Sequence, residues 1–496
     1  MLFSELMQNI AYRLAPDSAF PAPFTVTGVC RDADNASAGT VFVCADSDLY
    51  PARLAAPRAY ARGCRVFIAA HEVPLPADAA VLLVEDIETL AAELAVRFYG
   101  ETARNLTVIG VCGGLGKTSV ILSFLDMARR AGRSAAAICR EGVLKGGTLT
   151  RGKRRAPDAF DLQAFLTALA EDKTEIAVVE ISTYMLLQKS AFSIPFAAVL
   201  CTNTDFAREV DGVAASAAEC TLTLFSFLKE AARRGAYLFL PVETRTRDTF
   251  SDTFTPASVF YVGEEGDFSV TERREMSDRG AGAGVFTLTT PGTVFENLVL
   301  PSLSPHAAEN ALFAAALAFF ADFDDKAVRR SLETAAPVGT MEVLSFAADR
   351  LIVADAAYTP RMLEGALRHL RGRTPGKLSV LFGSVGTRAR ARRAALAHVA
   401  EEHADFTYLT ADDPGYEPVD AILSEMERAF EDPTRCVSIH DRAAAIARAV
   451  SELRPGDTLL LAGKARETWQ EINGAFVQFS ERDAVRAALD NFYALL

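Results

Sequence analysis

Short apolar runs alternate with amphipathic stretches along the whole chain. The runs "RVFIAA" and "AVLLVED" are typical of buried strands, whereas "ETLAAELAVRFYG" carries apolar residues at helical spacing. The same rhythm continues through "LTVIGV", "EIAVVEIS" and "FAAVLCTNTD", the alanine-rich "AAENALFAAALAFFA", and then "LIVADA", "LSVLFGS", "FTYLTADD" and "DTLLLAG". This alternation predicts an α/β fold whose sheets are mostly parallel.

Breaks in this rhythm divide the chain into three blocks. The 496 residues exceed one ordinary core, so several domains are expected. A first helix-terminated block ends near residue 103, a second runs over 104–336, and a third covers 337–496. In open α/β sheets, ligands gather at the carboxyl ends of the strands, so polar residues that end the strands are the first candidates for chemistry.

Composition narrows the classes of function. The net charge is −13, which argues against nucleic acid as the main ligand, because phosphate backbones need a basic face. The eight cysteines show no C-x-x-C spacing, which disfavours a zinc ribbon and fits reduced thiols in a cytosolic enzyme. The N-terminal stretch lacks the features of a signal peptide, and no run approaches the ~18 apolar residues of a membrane span. We therefore expect a cytoplasmic protein without a membrane span.

The stretch "VIGVCGGLGKTSV", Val108 to Val120, has the strand–glycine turn–helix context of a phosphate-binding loop. Val111 stands where the strict G-x-x-x-x-G-K-[ST] pattern requires glycine. Glycines let backbone N–H groups converge on phosphate oxygens, and the helix dipole adds to the attraction. Lys117 would then lie on the β/γ-phosphates and Thr118 on Mg²⁺. The alternative is a tight strand–helix turn with an incidental Gly-Lys-Thr.

Glu180 ends the strand-like run "AVVEIS". A carboxylate at a strand end beside a phosphate loop is a natural magnesium ligand, although a capping glutamate is a common alternative. The loop and Glu180 together predict ATP and Mg²⁺ as cofactors.

At this point the sequence resembles the Mur ligase family, and its MurE-type members most closely. "GVCGGLGKTS" matches the family's G-V-T-G-T-N-G-K-T-T in register, which explains why Val111 is tolerated. "VVEISTYML" is similar to E-V-S-S-H-A-L, "CTNTD" to T-N-L, and "HAAENALFAAALA" to H-N-x-x-N-A-L-A-A. Later motifs are also similar, in the family's order: "VGTMEVL", "VADAAYTP", "LFGSVGTRARARR", "TADDPGYE" and "LAGKARETWQ".

The resemblance implies three domains: an N-terminal UDP-substrate domain (1–103), a central P-loop ATPase-like parallel sheet (104–336) and a Rossmann-like C-terminal domain (337–496). It implies a monomeric, ATP-dependent ligase of peptidoglycan precursor synthesis. Such an enzyme adds the third amino acid to UDP-N-acetylmuramoyl-L-Ala-D-Glu, a nucleotide-sugar peptide, through an acyl phosphate.

The resemblance also implies the site residues. Those assigned to catalysis are Lys117, Glu180 and Arg388. Those assigned to ATP are Gly113, Gly114, Gly116, Lys117, Thr118, Ser119, Asn310 and Asp355, with Thr118 and Glu180 on the metal. Those assigned to the substrates are Arg388, Asp412, Asp413, Glu417, Gly463 and Glu467.

Several positions depart from the family pattern. No histidine lies between His71 and His306, Tyr184 replaces a histidine, and Thr221 replaces the lysine that is carbamylated in the family. Possible replacement metal ligands lie in "DFAREVDG": Asp205, Glu209 and Asp211. Two alternatives therefore stand beside the ligase: a paralogue that acts on another carboxylate acceptor, and a catalytically impaired nucleotide-binding pseudoenzyme or scaffold.

Two departures bear on the substrates. Asp34 stands where the family has an arginine near the uridine diphosphate, so we expect weak binding of a UDP-linked acceptor, or binding through Arg31 or Arg155. Gly415 stands where diaminopimelate-adding members have an arginine, while the surrounding motif residues are acidic. This pattern predicts a cationic amino acid, lysine or ornithine, in preference to diaminopimelate.

Overall fold

A computed structural model describes the protein over residues 1–16, 18, 23–44, 52–100, 106–139, 142–151, 157–204, 216–244, 258–275, 284–300, 302–334, 339–386, 390, 392–473 and 475–494. These residues form two compact units, 1–268 with 313–324, and 269–312 with 325–496. None of the helices among them combines the length and the hydropathy that crossing a bilayer requires.

The helices of the described residues are α1 (Phe3–Leu6), α2 (Ala52–Ala61), α3 (Ile87–Tyr99), α4 (Lys117–Arg130), α5 (Ala159–Glu171), α6 (Thr183–Leu187), α7 (Ala217–Arg233), α8 (Ala307–Phe320), α9 (Asp325–Thr334), α10 (Pro360–Arg371), α11 (Arg392–His403), α12 (Val419–Glu427), α13 (Arg442–Glu452) and α14 (Glu481–Ala494).

The strands are β1 (Arg13–Leu14), β2 (Gly28–Cys30), β3 (Thr40–Cys44), β4 (Val66–Ala69), β5 (Ala80–Leu83), β6 (Thr107–Cys112), β7 (Ala135–Cys139), β8 (Gly142–Lys145), β9 (Thr148–Arg151), β10 (Ile176–Glu180), β11 (Ala198–Cys201), β12 (Tyr237–Pro241), β13 (Val259–Val262), β14 (Ser269–Glu275), β15 (Gly284–Thr290), β16 (Thr293–Val299), β17 (Glu342–Ala347), β18 (Arg350–Asp355), β19 (Leu378–Phe382), β20 (Phe406–Thr410), β21 (Cys436–Ile439), β22 (Thr458–Ala462), β23 (Trp469–Ile472) and β24 (Ala475–Gln478).

The first unit contains two sheets. One has the order β1-β5-β4-β3-β2 and is parallel except for β1. The other has the order β13-β12-β11-β6-β10-β7-β8-β9, and its strands from β13 to β7 are parallel. Strands β6 and β10 are almost wholly apolar and buried, as parallel strands covered on both faces should be.

The register of this larger sheet places three strand ends side by side. Glu180 of β10 pairs with Val111 of β6, and Cys201 of β11 pairs with Cys112. The carboxyl ends of β10, β6 and β11 therefore lie level at one edge of the sheet. Helix α4 follows β6 and buries one face, with Val120, Ile121, Phe124, Met127 and Ala128 at helical spacing.

The second unit contains a three-stranded antiparallel sheet, a six-stranded sheet and a hairpin. The antiparallel sheet has the order β14-β15-β16, and β23 pairs with β24. The six-stranded sheet has the order β17-β18-β22-β19-β20-β21 and is parallel except for β17.

The prediction of a mixed α/β fold with mostly parallel sheets is confirmed. Each of the three large sheets falls inside one of the three predicted segments, and the boundaries near residues 103 and 336 remain predictions.

Candidate active site

The glycine loop between β6 and α4 owes its shape to backbone crowding. Gly113 has φ +114°, and Gly116 has φ +86° where it precedes the first residue of α4. A Cβ on Gly113 would lie 2.5 Å from Thr202 Oγ1 and 2.8 Å from the carbonyl oxygen of Asn203. Only glycine fits that position. Val111, by contrast, is a buried residue within β6, so the turn starts later than in the strict pattern.

The end of β11 supports the loop from the side. Asn203 accepts a hydrogen bond from the Gly114 N–H at 3.0 Å and donates one to the Leu115 carbonyl at 3.0 Å. The Thr202 hydroxyl also donates to the Leu115 carbonyl, at 2.6 Å. These two residues were not predicted as site residues, although they lie in "CTNTD" at a strand end. These contacts fix the path of the loop at Gly114 and Leu115.

Lys117 is the first residue of α4 and folds back over the loop. Its ammonium donates to the carbonyls of Gly113 at 2.7 Å and Gly114 at 2.9 Å. The positive charge therefore lies at the N-terminus of α4, where the helix dipole also attracts an anion. Phosphate binding by this loop stays a prediction. Ser119 is half-buried in the first turn of the helix.

Thr118 and Glu180 meet across the edge of the sheet. The Thr118 hydroxyl donates to Glu180 Oε1 at 2.9 Å, and the Glu180 side chain is buried at the end of β10. A hydroxyl and a carboxylate are oxygen donors of the kind that Mg²⁺ prefers. The two residues predicted to hold the metal are thus brought together, and their chemistry fits that ion.

Three further positions named from the sequence lie in helices. Tyr184 lies in α6 and Thr221 in α7, and Asn310 is half-buried in α8. Several predicted residues lie outside the described part of the chain: Arg155, Asp205, Glu209, Asp211 and Arg388.

Asp355 ends β18 in the second unit. Its carboxylate is buried and accepts the Met341 N–H at 2.8 Å. Burial raises the pKa of Asp355 to about 6, and the N–H groups of Met341 and Ala357 offset part of the rise. An ionised Asp355 is therefore held at a cost in folding free energy.

This cost predicts a pH dependence of stability. The pKa of Asp355 is raised on folding. Its stabilising contribution to the free energy of unfolding is therefore fully present below the ordinary pKa of 3.8 and is lost as the pH rises through about 6. Asp355→Asn keeps an acceptor for Met341 without the charge. The free energy of unfolding of the variant minus that of the parent should grow by about 1 kcal/mol between about pH 5 and about pH 8. Urea titrations at the two pH values measure this difference, and a constant difference would contradict the buried charge.

Three of the predicted substrate residues surround a buried lysine. The Lys464 ammonium lies 2.8 Å from Asp413 Oδ1, 2.9 Å from Glu467 Oε2 and 3.5 Å from Asp412 Oδ1. Burial acts to lower the pKa of Lys464, but the charges of Asp412, Glu467 and Asp413 outweigh it and raise that pKa. The three acids were predicted from the sequence, whereas the lysine that joins them was not, although it stands in the motif "LAGKARETWQ".

Glu417 is paired in a similar way. Both of its carboxylate oxygens accept from the buried Arg393, at 2.9 Å and 2.7 Å, and Arg393 also pairs with Glu425. Two buried cations, Lys464 and Arg393, thus offset part of the acidic charge that predicted a cationic amino acid. That prediction, and the role of Glu417 in binding substrate, remain untested by the structure.

Two glycines shape the remaining part of this site. Gly463 has φ +105°, and a Cβ there would lie 3.3 Å from Asp412 Oδ2. Gly415 has φ +58°, donates its N–H to Glu471 at 3.0 Å and accepts from Asn473 at 2.7 Å. The position where diaminopimelate-adding members carry arginine is therefore an uncharged turn beside β23.

Arg31, proposed from the sequence as an anion ligand, is turned inward. Its guanidinium donates to Glu88 at 2.6 Å and to Gln188 at 3.1 Å, and the residue is buried. Asp34 accepts from the exposed Arg58 at 3.1 Å. Arg31 links the first sheet to the segment after α6, so it is engaged within the protein.

Comparison with known proteins shows which sequences and folds the chain is similar to. Residues 339–465 match the family described as "Mur ligase, glutamate ligase domain". The "UDP-N-acetylmuramoyl-L-alanyl-D-glutamate--2,6-diaminopimelate ligase" of Geobacillus kaustophilus is 28% identical over 92% of this chain and 94% of its own. A solved structure of a protein with the same description, 23% identical, superposes with a TM-score of 0.62 over 99% of both chains. MurF ligase from Thermotoga maritima, in complex with ADP, superposes with a TM-score of 0.53 at 17% identity over 95% of this chain and 98% of its own.

These findings confirm the resemblance to the Mur ligases. Over nearly its whole length the chain has MurE-type homologues at 24% to 29% identity, so it is a divergent relative of that group.

Proposed function

We propose that the protein is an ATP-dependent ligase of peptidoglycan precursor synthesis, which adds the third amino acid to UDP-N-acetylmuramoyl-L-Ala-D-Glu. One observation carries the proposal: Lys117, Thr118 and Glu180 converge at the carboxyl edge of β6 and β10. The names of the relatives supply the substrate class. The enzyme would act as a cytoplasmic monomer in building the cell wall, which supports cell shape and division.

Each of these residues would have a separate role in phosphoryl transfer. Lys117 and the N–H groups of the loop would bind the ATP phosphates and offset their charge. Thr118 and Glu180 would hold Mg²⁺, which supplies further charge neutralisation. The acceptor carboxylate would attack the γ-phosphorus, giving an acyl phosphate and ADP. The amine of the incoming amino acid would then displace phosphate, losing a proton as the amide forms.

The amino acid is held, in this proposal, by the loops around Lys464. Arg388 would bind the α-carboxylate, while Asp412 and Glu467, the more exposed acids of the cluster, would face the amine. Because Gly415 offers no charge, we retain lysine or ornithine as the expected substrate. The names of the relatives favour diaminopimelate, so the two expectations compete directly.

Phosphate release from ATP tests the proposal. Release should require the muramoyl dipeptide nucleotide and an amino acid together, and mass spectrometry should show the tripeptide product. The panel contains lysine, ornithine and meso-diaminopimelate. A clear preference for diaminopimelate would overturn the amino-acid assignment but leave the ligase intact. ATP binding without release under any condition would instead support the pseudoenzyme.

A second candidate is a ligase of the same chemistry that acts on another carboxylate acceptor. The inward position of Arg31 and the acidic side chain of Asp34 favour it, because the Arg31 guanidinium is paired with Glu88 and Asp34 would repel a diphosphate. The same assay with peptides that lack UDP separates the two candidates. Release that depends on such a peptide and is absent with the UDP-linked acceptor would favour the second.

A further inference from the structure

A buried ion pair lies behind the loops that carry Asp412 and Lys464. Arg442 is the first residue of α13 and Glu481 the first of α14, and their side chains are fully buried. Arg442 Nε and Nη2 both donate to Glu481 Oε1, at 3.0 Å and 2.5 Å. The pair joins the starts of two helices that pack against the six-stranded sheet.

The other contacts of Arg442 reach the site itself. Nη1 donates to the Ala411 carbonyl at 3.2 Å, and Nη2 donates to the Ala462 carbonyl at 3.1 Å. Ala411 directly follows β20 and precedes Asp412. Ala462 ends β22 and precedes Gly463. One guanidinium thus holds the two points at which the predicted substrate loops leave the sheet.

The sheet does not join these two points by itself. In the order β22-β19-β20, strand β19 lies between the two strands that carry the loops. Their separation at the carboxyl edge therefore depends on contacts beyond the strand pairing, and the fork of Arg442 spans it. Guanidinium is suited to this because its donors are fixed in one plane.

The pair is a weak source of stability. The desolvation penalty of burying both charges offsets much of their mutual attraction. Replacing such a pair by apolar residues often leaves the stability unchanged. Glu481 Oε2 is also buried and has no hydrogen-bond partner in the part of the chain that the structure describes, which adds to the cost. Burial raises the pKa of Glu481, and the positive charges of Arg442 and Lys464 oppose that rise.

We propose that Arg442 and Glu481 are positioning residues of the amino-acid site. They hold the loops 411–413 and 462–467 at a fixed separation, so that Asp412, Asp413 and Glu467 stay gathered around Lys464. The effect on ligation rests on the proposed function, whereas the effect on the loops does not.

The test uses the double variant Arg442→Met with Glu481→Leu, which removes the pair and keeps its volume apolar. Arg442→Lys keeps the charge and loses the planar fork. The matched control is Arg368→Met with Glu364→Leu, an exposed pair on α10. In the ligation assay, the double variant and Arg442→Lys should raise the KM for the amino acid about tenfold or more, with the KM for ATP unchanged and the control unaffected.

Hydrogen exchange gives a readout that needs no activity. Amides of 411–413, 415 and 462–467 should exchange faster in both variants than in the parent and the control, while the rest of the six-stranded sheet stays protected. Unchanged KM values together with unchanged exchange would overturn the proposal. If the double variant fails to fold, the KM values and exchange rates of Arg442→Lys test the proposal instead. Exchange that rises uniformly over the six-stranded sheet would show that the pair contributes to stability alone. A parent without ligase activity would refute the proposed function and leave the exchange result standing.

Discussion

Replacing Lys117 by alanine is expected to weaken ATP binding by about 100-fold while the fold stays intact. The ammonium lies over the loop at the N-terminus of α4, where it would oppose the charge of the phosphates. Charge-assisted hydrogen bonds are each worth about 1.5–3 kcal/mol, and a phosphate would accept more than one of them. Titration calorimetry with ATP measures the affinity, and circular dichroism checks the fold.

The control for this experiment comes from the other end of the same helix. Arg129 is exposed near the C-terminus of α4 and pairs with Asp126. Arg129→Ala removes one positive charge from the same helix but leaves the loop untouched, so ATP affinity should stay within about twofold. Equal affinity in the parent and Lys117→Ala would show that the loop is a structural turn.

The polar residues at the carboxyl edge of the central sheet could be identified from the sequence, because a short stretch of sequence is enough to show where a strand ends. The runs of β10 and β11 end in polar residues, and parallel strands bring such ends together. Glu180 and Thr118, both predicted to hold the metal, lie within hydrogen-bond distance of each other, and their role as metal ligands stays a prediction. Val111, interpreted as tolerated in the loop, is a strand residue, and the turn is made by Gly113.

Side-chain pairing between distant segments could not be predicted in the same way. The acids of "TADDPGYE" were interpreted as pocket charges, whereas three of the four acids named for the site contact Lys464, and Glu417 contacts Arg393. Arg31 was proposed as an anion ligand and is instead paired with Glu88. Such pairings depend on tertiary geometry, and neither local periodicity nor motif spacing encodes them.

The antiparallel sheet β14-β15-β16 was not predicted because its signal is weak. The turn between β15 and β16 is Pro291 and Gly292, with Gly292 at φ +105°, and it joins two runs of alternating polarity. A Pro-Gly turn between such runs is a hairpin signal. The dominant α/β rhythm obscured it.

Replacing Gly386 by alanine is expected to destabilise the C-terminal domain by about 3 kcal/mol or more, because the new Cβ meets fixed backbone. That Cβ would lie 1.8 Å from the carbonyl oxygen of Pro414 and 2.6 Å from its carbonyl carbon. The Gly386 N–H also donates to the Asp413 carbonyl at 2.9 Å, so the two loops are already in contact. Chemical denaturation, followed by a probe in the C-terminal domain, measures the loss.

The clash must also move the segment that carries Asp412 and Asp413, because a carbonyl group cannot rotate aside as a side chain does. Ligation by Gly386→Ala should therefore fall at temperatures where the variant is still folded. Gly365 is the matched control, since it lies in α10 and its Cβ would meet nothing within 4 Å. Gly365→Ala should stabilise the domain by about 0.5–1 kcal/mol, as alanine does in a helix. Similar stabilities for the two variants would mean that the loops 383–386 and 410–414 do not approach each other as closely as the structure shows.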